Sequence, residues 1–229
     1  MKISKRLQQI SALIPKASRI ADIGSDHAFV PIMAVETGCS SFAIASEVAP
    51  GPLGISQQNI QAAGLSDKIQ TRLGDGLAAI QVEDRIDTFI IAGMGGELIV
   101  HILAAADPAL LKATHLILEP NNNEAMVRRW LDQHGFIIQQ EKILLEDQHF
   151  YEMIRAQHTG ANPSLTSEEQ LFGPKLQQAQ TADFKAKWQH RQRVNQKIVA
   201  QLKAAPQPDV VKITEMTEMT NLIERMLRK

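Results

Sequence analysis

Acidic side chains follow three successive apolar segments in the first half of the chain. Asp22 and Asp26 come after the first segment. Glu47 follows the second and Asp75 the third. If these segments are parallel strands, the carboxylates meet at the carboxyl edge of an open sheet, where such folds bind ligands. Carboxylates accept hydrogen bonds from hydroxyl and amino groups and attract cations, so the pattern predicts a site for a nucleoside-containing ligand.

The loop after the first segment discriminates between cofactor classes. Gly24 lets a ligand approach the backbone, but the pattern G-x-G-x-x-G is absent and Asp26 occupies the place of a glycine. A carboxylate there repels a pyrophosphate, which binds backbone N–H groups. It favours a cation, and S-adenosylmethionine carries an ammonium and a sulfonium. We therefore expect S-adenosylmethionine, with Asp26 either orienting the ammonium or stabilising positive charge during catalysis.

The later loops carry less specific signals. Glu47 lies 25 residues after Asp22, where a carboxylate accepts ribose hydroxyls, but NAD and S-adenosylmethionine share that adenosine moiety. Asp75 precedes Gly76, so it either forms a simple turn or accepts from an adenine amino group. His27 is either a pairing partner of a carboxylate or a structural residue of a tight turn. The combination favours a ligand site.

Two further loops complete the predicted site. Gly93-Met94-Gly95-Gly96 directly follows an apolar segment, and three glycines in four residues allow a backbone to lie against a flat or bulky ligand. Asn121 lies in an amide-rich loop after the next segment, where side-chain amides could hydrogen-bond the edge of a base.

Strand-like segments alternate with helical ones over the first 158 residues, which predicts a parallel sheet with helices on both faces. The candidate strands are Arg19–Ile23, Ser41–Ser46, Ile69–Leu73, Thr88–Ala92 and His115–Leu118. Only a short polar turn precedes the last segment, Phe150–Ala156, so this segment must be antiparallel to the one before it. The predicted fold is α/β: a doubly wound, Rossmann-like sheet ending in an antiparallel hairpin, the shape of class I methyltransferases.

The C-terminal part has a different composition. We predict a cofactor-binding domain over residues 1–160 and a helical domain over residues 161–229. Two apolar stripes flank Pro206-Gln207-Pro208, which must interrupt a helix, so the pattern predicts two antiparallel helices joined at that corner.

Composition excludes several classes of protein. The chain is 44% hydrophobic and 21% charged, as in soluble globular proteins, and no apolar run approaches the roughly 20 residues of a membrane span. Cys39 is the single cysteine, so neither an intrachain disulfide nor a cysteine-based zinc site is possible. No secretory signal is recognisable. We expect a cytoplasmic protein without a metal.

Charge is distributed unevenly. Residues 1–160 carry a net charge of −5 and residues 161–229 a net charge of +4. Residues 1–21 contain five basic residues, including Lys2, and no acidic one. Residues 184–203 contain six basic residues and again no acidic one. Solvated helices usually mix signs, so these stretches predict contact with a polyanion.

Motifs distributed from Ser4 to about Gln189 make the chain resemble the bacterial tRNA (adenine-22 N1)-methyltransferase family, TrmK. They are Ser4–Leu7, Asp22–Ala28 with Pro31, Gly51-Pro52, Ala92–Gly96, Leu118–Asn121, Phe150–Glu152, Leu171–Pro174 and Lys187–His190. Two positions depart from the family pattern: Glu119 replaces a usual Gln, and Phe29 replaces a common Tyr, which keeps a stacking face but loses a hydroxyl.

The resemblance implies methyl transfer from S-adenosylmethionine to N1 of an adenine in tRNA. N1 of neutral adenine has a free lone pair and needs no deprotonation, so catalysis would rest on positioning and on stabilising the charge that develops. Asp26 is the candidate catalytic residue. The alternatives are an NAD-dependent oxidoreductase and a non-catalytic, nucleotide-binding regulatory protein. tRNA is the expected partner, and no membrane or protein partner is implied.

The predicted site residues fall into two groups. Residues expected to bind the cofactor are Asp22, Gly24, Asp26, His27, Glu47, Val48, Asp75, Gly76, Gly93 and Met94. Residues expected to bind RNA are Phe29, Asn121, Lys5, Arg6, Lys185, Arg191, Arg193 and Lys197.

Overall fold

A computed structural model of the protein describes residues 4–112, 114–161 and 164–228. Lys2, which belongs to the N-terminal basic stretch, lies outside the described residues. The chain forms two compact units, residues 1–175 and residues 176–229. The division lies after the short helix Ser167–Phe172, which the sequence analysis grouped with the C-terminal part. The functional division at residue 160 stays a prediction.

Seven strands form one mixed sheet in the first unit. They are β1 (Ser18–Ile23), β2 (Ser40–Glu47), β3 (Ile69–Leu73), β4 (Thr88–Met94), β5 (His115–Pro120), β6 (Phe136–Glu146) and β7 (His149–His158). The spatial order is β3-β2-β1-β4-β5-β7-β6, with β1 to β5 parallel. The predicted α/β fold is therefore confirmed.

In chain order, helices separate most of these strands and continue through the second unit. They are α1 (Lys5–Ser11), α2 (Phe29–Glu36), α3 (Pro50–Ala62), α4 (Gly96–Ala104), α5 (Pro108–Leu111), α6 (Glu124–Gln133), α7 (Ser167–Phe172), α8 (Leu176–Ala179), α9 (Ala182–Ala204) and α10 (Val210–Leu227). Several begin at the polar residue that the sequence offers: Ser4 accepts from the Leu7 amide, and Thr166 and Glu169 form a capping box.

The antiparallel hairpin is present as predicted. β7 lies between β5 and β6 and is antiparallel to both. Asp147 and Gln148 turn the chain with φ values of 47° and 65°, the left-handed conformation that tight hairpins require.

Successive strand residues point to opposite faces of the sheet. Apolar residues are buried on both faces. On β4, Phe89 and Ile91 belong to one apolar core cluster, whereas Ile90 belongs to the other. Leu53 and Ile60 of α3 are buried as its periodicity suggests, but Ile55 is 42% exposed and contributes little to either core.

A buried ionic cluster attaches α7 to the sheet. Arg128 on α6 is fully buried, and its Nε donates to Glu141 Oε1 over 2.7 Å while Nη2 pairs with Glu152. Nη1 donates to the carbonyl oxygens of Gln170 and Leu171 at the end of α7. Gly173 has φ +82°, and a Cβ there would lie 2.8 Å from Arg128 Nη2, which explains a glycine in this motif.

The second unit contains the predicted pair of antiparallel helices, α9 and α10. Thr181 caps α9, Asp209 caps α10, and the segment between the helices contains both prolines. Gln180 Nε2 donates to the Met226 carbonyl, which joins the start of α9 to the end of α10. In the described part of the chain, no helix is both long and apolar enough to cross a bilayer.

Candidate active site

The loop after β1 is fixed against β2. The amide groups of Gly24 and Ser25 both donate to the Ser46 carbonyl, over 2.9 and 2.8 Å. Gly24 has φ +77°, and a Cβ there would lie 2.2 Å from Met94 Cε. The positive φ therefore favours a glycine at this turn, where the loop after β1 lies against the Met94 side chain at the end of β4.

Asp22 is a buried carboxylate at the end of β1. Its side chain accepts from Ser25 Oγ over 2.6 Å, and the residue is 8% exposed. Burial raises the pKa of Asp22 to about 7, with a smaller contribution from the charge of Asp26, while the Ser25 hydrogen bond opposes the shift. No cation of the described residues pairs with this carboxylate, and a ligand ammonium would provide that charge.

Asp26, His27 and Phe29 lie together at the mouth of the site. His27 Nδ1 is 3.1 Å from Asp26 Oδ1, and the His27 and Phe29 rings lie 5.0 Å apart. The Asp26 side chain is 66% exposed. All three residues line a cavity of about 240 Å³ whose other walls include Arg6 and Ala92. A planar group entering this cavity meets an aromatic face and an ionisable carboxylate.

Glu47 is the last residue of β2, one residue beyond the predicted end of the strand, and Val48 follows it. Glu47 Oε1 accepts from the backbone amides of Val48 and Ala49, over 3.0 and 3.1 Å. Glu47 Oε2 makes no hydrogen bond to the described residues, so it remains able to accept from a ligand hydroxyl. The Val48 side chain is 62% exposed beside it.

Asp75 and Gly76 begin a short 3₁₀ turn after β3. The Asp75 side chain makes no capping hydrogen bond, although it stands at the capping position. A simple turn would use that carboxylate to stabilise the backbone. The absence of this bond in the described segment favours the ligand-binding interpretation of Asp75.

The loops after β4 and β5 are joined by Asn121 and Glu119. Asn121 Nδ2 donates to the Gly93 carbonyl over 2.7 Å, and its backbone amide donates to the Met94 carbonyl over 2.8 Å. Glu119 Oε2 accepts from the Gly93 amide over 2.8 Å. The Asn121 side-chain amide nitrogen thus orders the glycine-rich segment. The side-chain oxygen of Asn121 is the group that could accept a hydrogen bond from a base.

Arg6 points into the site instead of lying on an exposed surface. Its Nη1 lies 2.7 Å from Glu119 Oε2, and its side chain is 26% exposed. Burial raises the pKa of Glu119, and the positive charge of Arg6 opposes the rise. Lys5, the preceding residue, is exposed to solvent. Lys5 and Arg6, both predicted to bind RNA, therefore lie in different environments.

Lys185, Arg191, Arg193 and Lys197 of α9 are exposed, but they do not all share one face. With about 100° per residue, Lys185, Arg193 and Lys197 fall within an arc of about 120° that excludes the buried Phe184, Trp188 and Asn195. Arg193 and Lys197 lie opposite the buried residues, and Lys185 lies at the flank of the arc. Arg191 falls next to the buried face instead. Of the four α9 cations predicted to bind RNA, Lys185, Arg193 and Lys197 therefore form the outer face, and Arg191 lies beside the buried face.

Two contacts escaped the sequence analysis. Glu146 accepts from the backbone amides of Lys5 and Arg6, and Glu119 pairs with Arg6 from 113 residues away. The only signal for the second pair was the unusual charge at position 119. Among the described residues, no group of three or more His, Cys, Asp or Glu side chains could hold a metal ion.

Five parallel strands completed by an antiparallel β7, with carboxylates after β1, β2 and β3, define a Rossmann-like fold of the class I methyltransferase type. The family model for tRNA (adenine(22)-N(1))-methyltransferase, TrmK, matches residues 20–226. The Bacillus subtilis tRNA (adenine(22)-N(1))-methyltransferase is 35% identical over 99% of this chain and 98% of its own length. The chain belongs to the TrmK family.

Solved structures agree with this assignment. An uncharacterised Listeria monocytogenes protein superimposes with a TM-score of 0.95 at 40% identity, covering 99% of this chain and all of its own. A Streptococcus pneumoniae protein solved in complex with S-adenosyl-L-methionine superimposes with a TM-score of 0.86 at 37% identity, covering 99% of this chain and 100% of its own. The resemblance read from the sequence motifs is thereby confirmed.

Proposed function

We propose that this protein transfers a methyl group from S-adenosylmethionine to N1 of an adenine in tRNA. The observation that carries the proposal is the set of carboxylates Asp22, Asp26, Glu47 and Asp75 at the carboxyl ends of three neighbouring strands, where the loop after β1 lacks a phosphate cradle. Such a set suits a ligand with hydroxyls, an amino group and positive charge. The relatives act on tRNA by name, and a tRNA substrate supports a cytoplasmic location for the proposed activity.

The residues present fit S-adenosylmethionine. Among the described residues, no cation pairs with the buried Asp22, and Glu47 Oε2 and the Asp75 carboxylate are unoccupied acceptors. We assign the ammonium to Asp22 and the ribose hydroxyls to Glu47. Val48, Gly76, Met94 and His27 would line the same site. When bound, S-adenosylmethionine supplies a methyl group activated by the adjoining sulfonium.

The chain itself has to position the base and balance its charge. Methylation at N1 leaves adenine positively charged, so a carboxylate near the base stabilises the transition state more than the ground state. Asp26 lines the cavity beside Phe29, whose ring offers a stacking surface for a base. We therefore assign the electrostatic role to Asp26 and the stacking role to Phe29. Asn121, Lys5 and the α9 cations would contact the RNA.

The test is methyl transfer to unmodified bulk tRNA by the wild-type protein and by Asp26→Asn. The wild-type protein should label tRNA, and the variant should lose far more of kcat than of affinity for S-adenosylhomocysteine. Equal losses in both would assign Asp26 to the cofactor ammonium. Binding of NAD in preference to S-adenosylhomocysteine would support an oxidoreductase instead.

A further inference from the structure

Arg6 is held at its backbone amide and at its guanidinium. The amides of Lys5 and Arg6 donate to Glu146 over 2.8 and 3.0 Å, which fixes the start of α1. The guanidinium carbon lies 5.3 Å from the centre of the Tyr151 ring. Nη1 donates to Glu119 Oε2 over 2.7 Å. A long side chain that normally samples many rotamers is therefore held in one orientation.

Glu119 provides the strongest of these contacts. Its side chain is completely buried, and the oxygen that binds Arg6 also accepts from the amide of Gly93. A buried carboxylate is costly unless an opposite charge pairs with it, and Arg6 supplies that charge. Glu119 thus connects the N-terminal helix to the glycine loop after β4.

The guanidinium retains unused donors. Among the described residues, Arg6 Nε and Nη2 make no hydrogen bond, and the side chain remains 26% exposed. Arg6 lines the 240 Å³ cavity together with Phe29 and Asp26. A ligand entering this cavity would therefore meet a fixed, charged donor edge on the side of α1.

We propose that Arg6, oriented by Glu119, binds a phosphate of the target nucleotide while its base enters the cavity beside Phe29. The inference rests on the proposed function and names the contact that positions the acceptor. A guanidinium presents parallel N–H groups that match phosphate oxygens. Contact with the reacting base is disfavoured, because a cation there would oppose the positive charge that develops at N1. Arg6 and Glu119 are positioning residues in this account.

A matched pair of variants isolates the guanidinium. In Glu119→Gln, the amide oxygen can still accept from Arg6 and Gly93, but the buried charge is gone. Adding Arg6→Gln gives R6Q/E119Q, which lacks the cation without leaving an unpaired buried carboxylate. The two proteins differ only in the side chain of Arg6, so a folding defect caused by Glu119 alone is common to both. Lys68→Ala, an exposed cation after α3, controls for charge loss elsewhere.

The measurements are the KM for a tRNA transcript, equilibrium tRNA binding at several salt concentrations, and the Kd for S-adenosylhomocysteine. Relative to E119Q, R6Q/E119Q should raise the tRNA KM about tenfold or more, because a charge-assisted hydrogen bond is lost. The salt dependence should become weaker: the magnitude of the slope of log affinity against log salt should decrease by about 0.7 to 0.9, the value for one phosphate contact. The S-adenosylhomocysteine Kd and the melting temperature should stay unchanged.

The positioning role of Glu119 is tested by Glu119→Ala, which keeps Arg6 but removes the carboxylate that orients it. The tRNA KM should rise in E119A and return towards the wild-type value in E119Q, because Gln restores the hydrogen bond. Equal tRNA affinity and salt slope in E119Q and R6Q/E119Q would overturn the proposal, as would a loss of S-adenosylhomocysteine affinity matching the loss for tRNA. If the wild-type protein bound tRNA but did not methylate it, the proposed function would fail, and the binding data would still decide the role of Arg6.

Discussion

Raising the pH should tighten cofactor binding, because Asp22 must lose a proton to pair with a ligand ammonium. The carboxyl is buried at the end of β1, and its pKa is raised to about 7. The folded protein therefore keeps the proton until the pH approaches 7. If only the ionised form binds, affinity follows the ionised fraction, which increases about eightfold between about pH 6 and 7.5. Below about pH 7.5 the ligand amine stays mostly protonated.

The assay is calorimetric titration with S-adenosylhomocysteine across this range. Proton release on binding, seen as a dependence of the heat on buffer ionisation, should be largest near pH 6. The stability of the unliganded protein should fall as the pH rises from about 4 to 7, because the folded state binds more protons than the unfolded state in that window. Ser25→Ala removes a hydrogen bond that lowers the pKa, so the midpoint should move to higher pH.

Asp22→Asn is the control. It should bind weakly, with an affinity that hardly changes with pH. A flat profile in the wild-type protein, or the same rise in Asp22→Asn, would refute the assignment of the ammonium to Asp22.

Three further predictions concern other parts of the molecule. Glu47→Ala should reduce affinity for S-adenosylhomocysteine about tenfold or more without unfolding the protein, because the ribose loses its charged acceptor. A Kd equal to that of the wild-type protein would show that Glu47 does not bind the cofactor. Arg128→Met should destabilise the protein by about 3–5 kcal/mol in urea denaturation, because two fully buried carboxylates lose their cation, and an unchanged midpoint would contradict this view of the cluster. Replacing the outer-face cations of α9 with Gln should weaken tRNA binding and lower the salt slope by about 0.7 to 0.9 per lost phosphate contact, whereas an unchanged slope would identify them as a solvated surface. The replaced residues are Lys185, Arg193 and Lys197.

Local patterns predicted most of the fold. Apolar runs such as Thr88–Ala92, each ending at a glycine or an acid, identified the parallel strands and the loops that follow them. The short polar turn before Phe150 predicted the hairpin, because no crossover helix fits there. These features depend on residues close together in the sequence, where periodicity and turn chemistry are sufficient.

Contacts between distant residues were not predictable in this way. In the sequence, Arg6 is one of several cations in a basic stretch. Its contact with Glu119 exists only in the folded chain. The buried cluster of Arg128 requires α6, β6 and β7 to be packed together before its charges meet. Similarly, a count of charges over residues 184–203 cannot show that Arg191 falls beside the buried face of α9. A count of charges gives the sign and the density of charge in a segment, but the direction in which each side chain points depends on its position around the helix.

The most direct test of the central claim is the chemical identity and position of the product. A tRNA transcript should be treated with the protein and S-adenosylmethionine and digested to nucleosides at neutral pH. The nucleosides should be separated by liquid chromatography against standards and detected by mass spectrometry, alongside a transcript in which adenine 22 is replaced by guanine. The account predicts 1-methyladenosine from the first transcript and none from the second. Formation of N6-methyladenosine, methylation of both transcripts, or no methylation of either would contradict it.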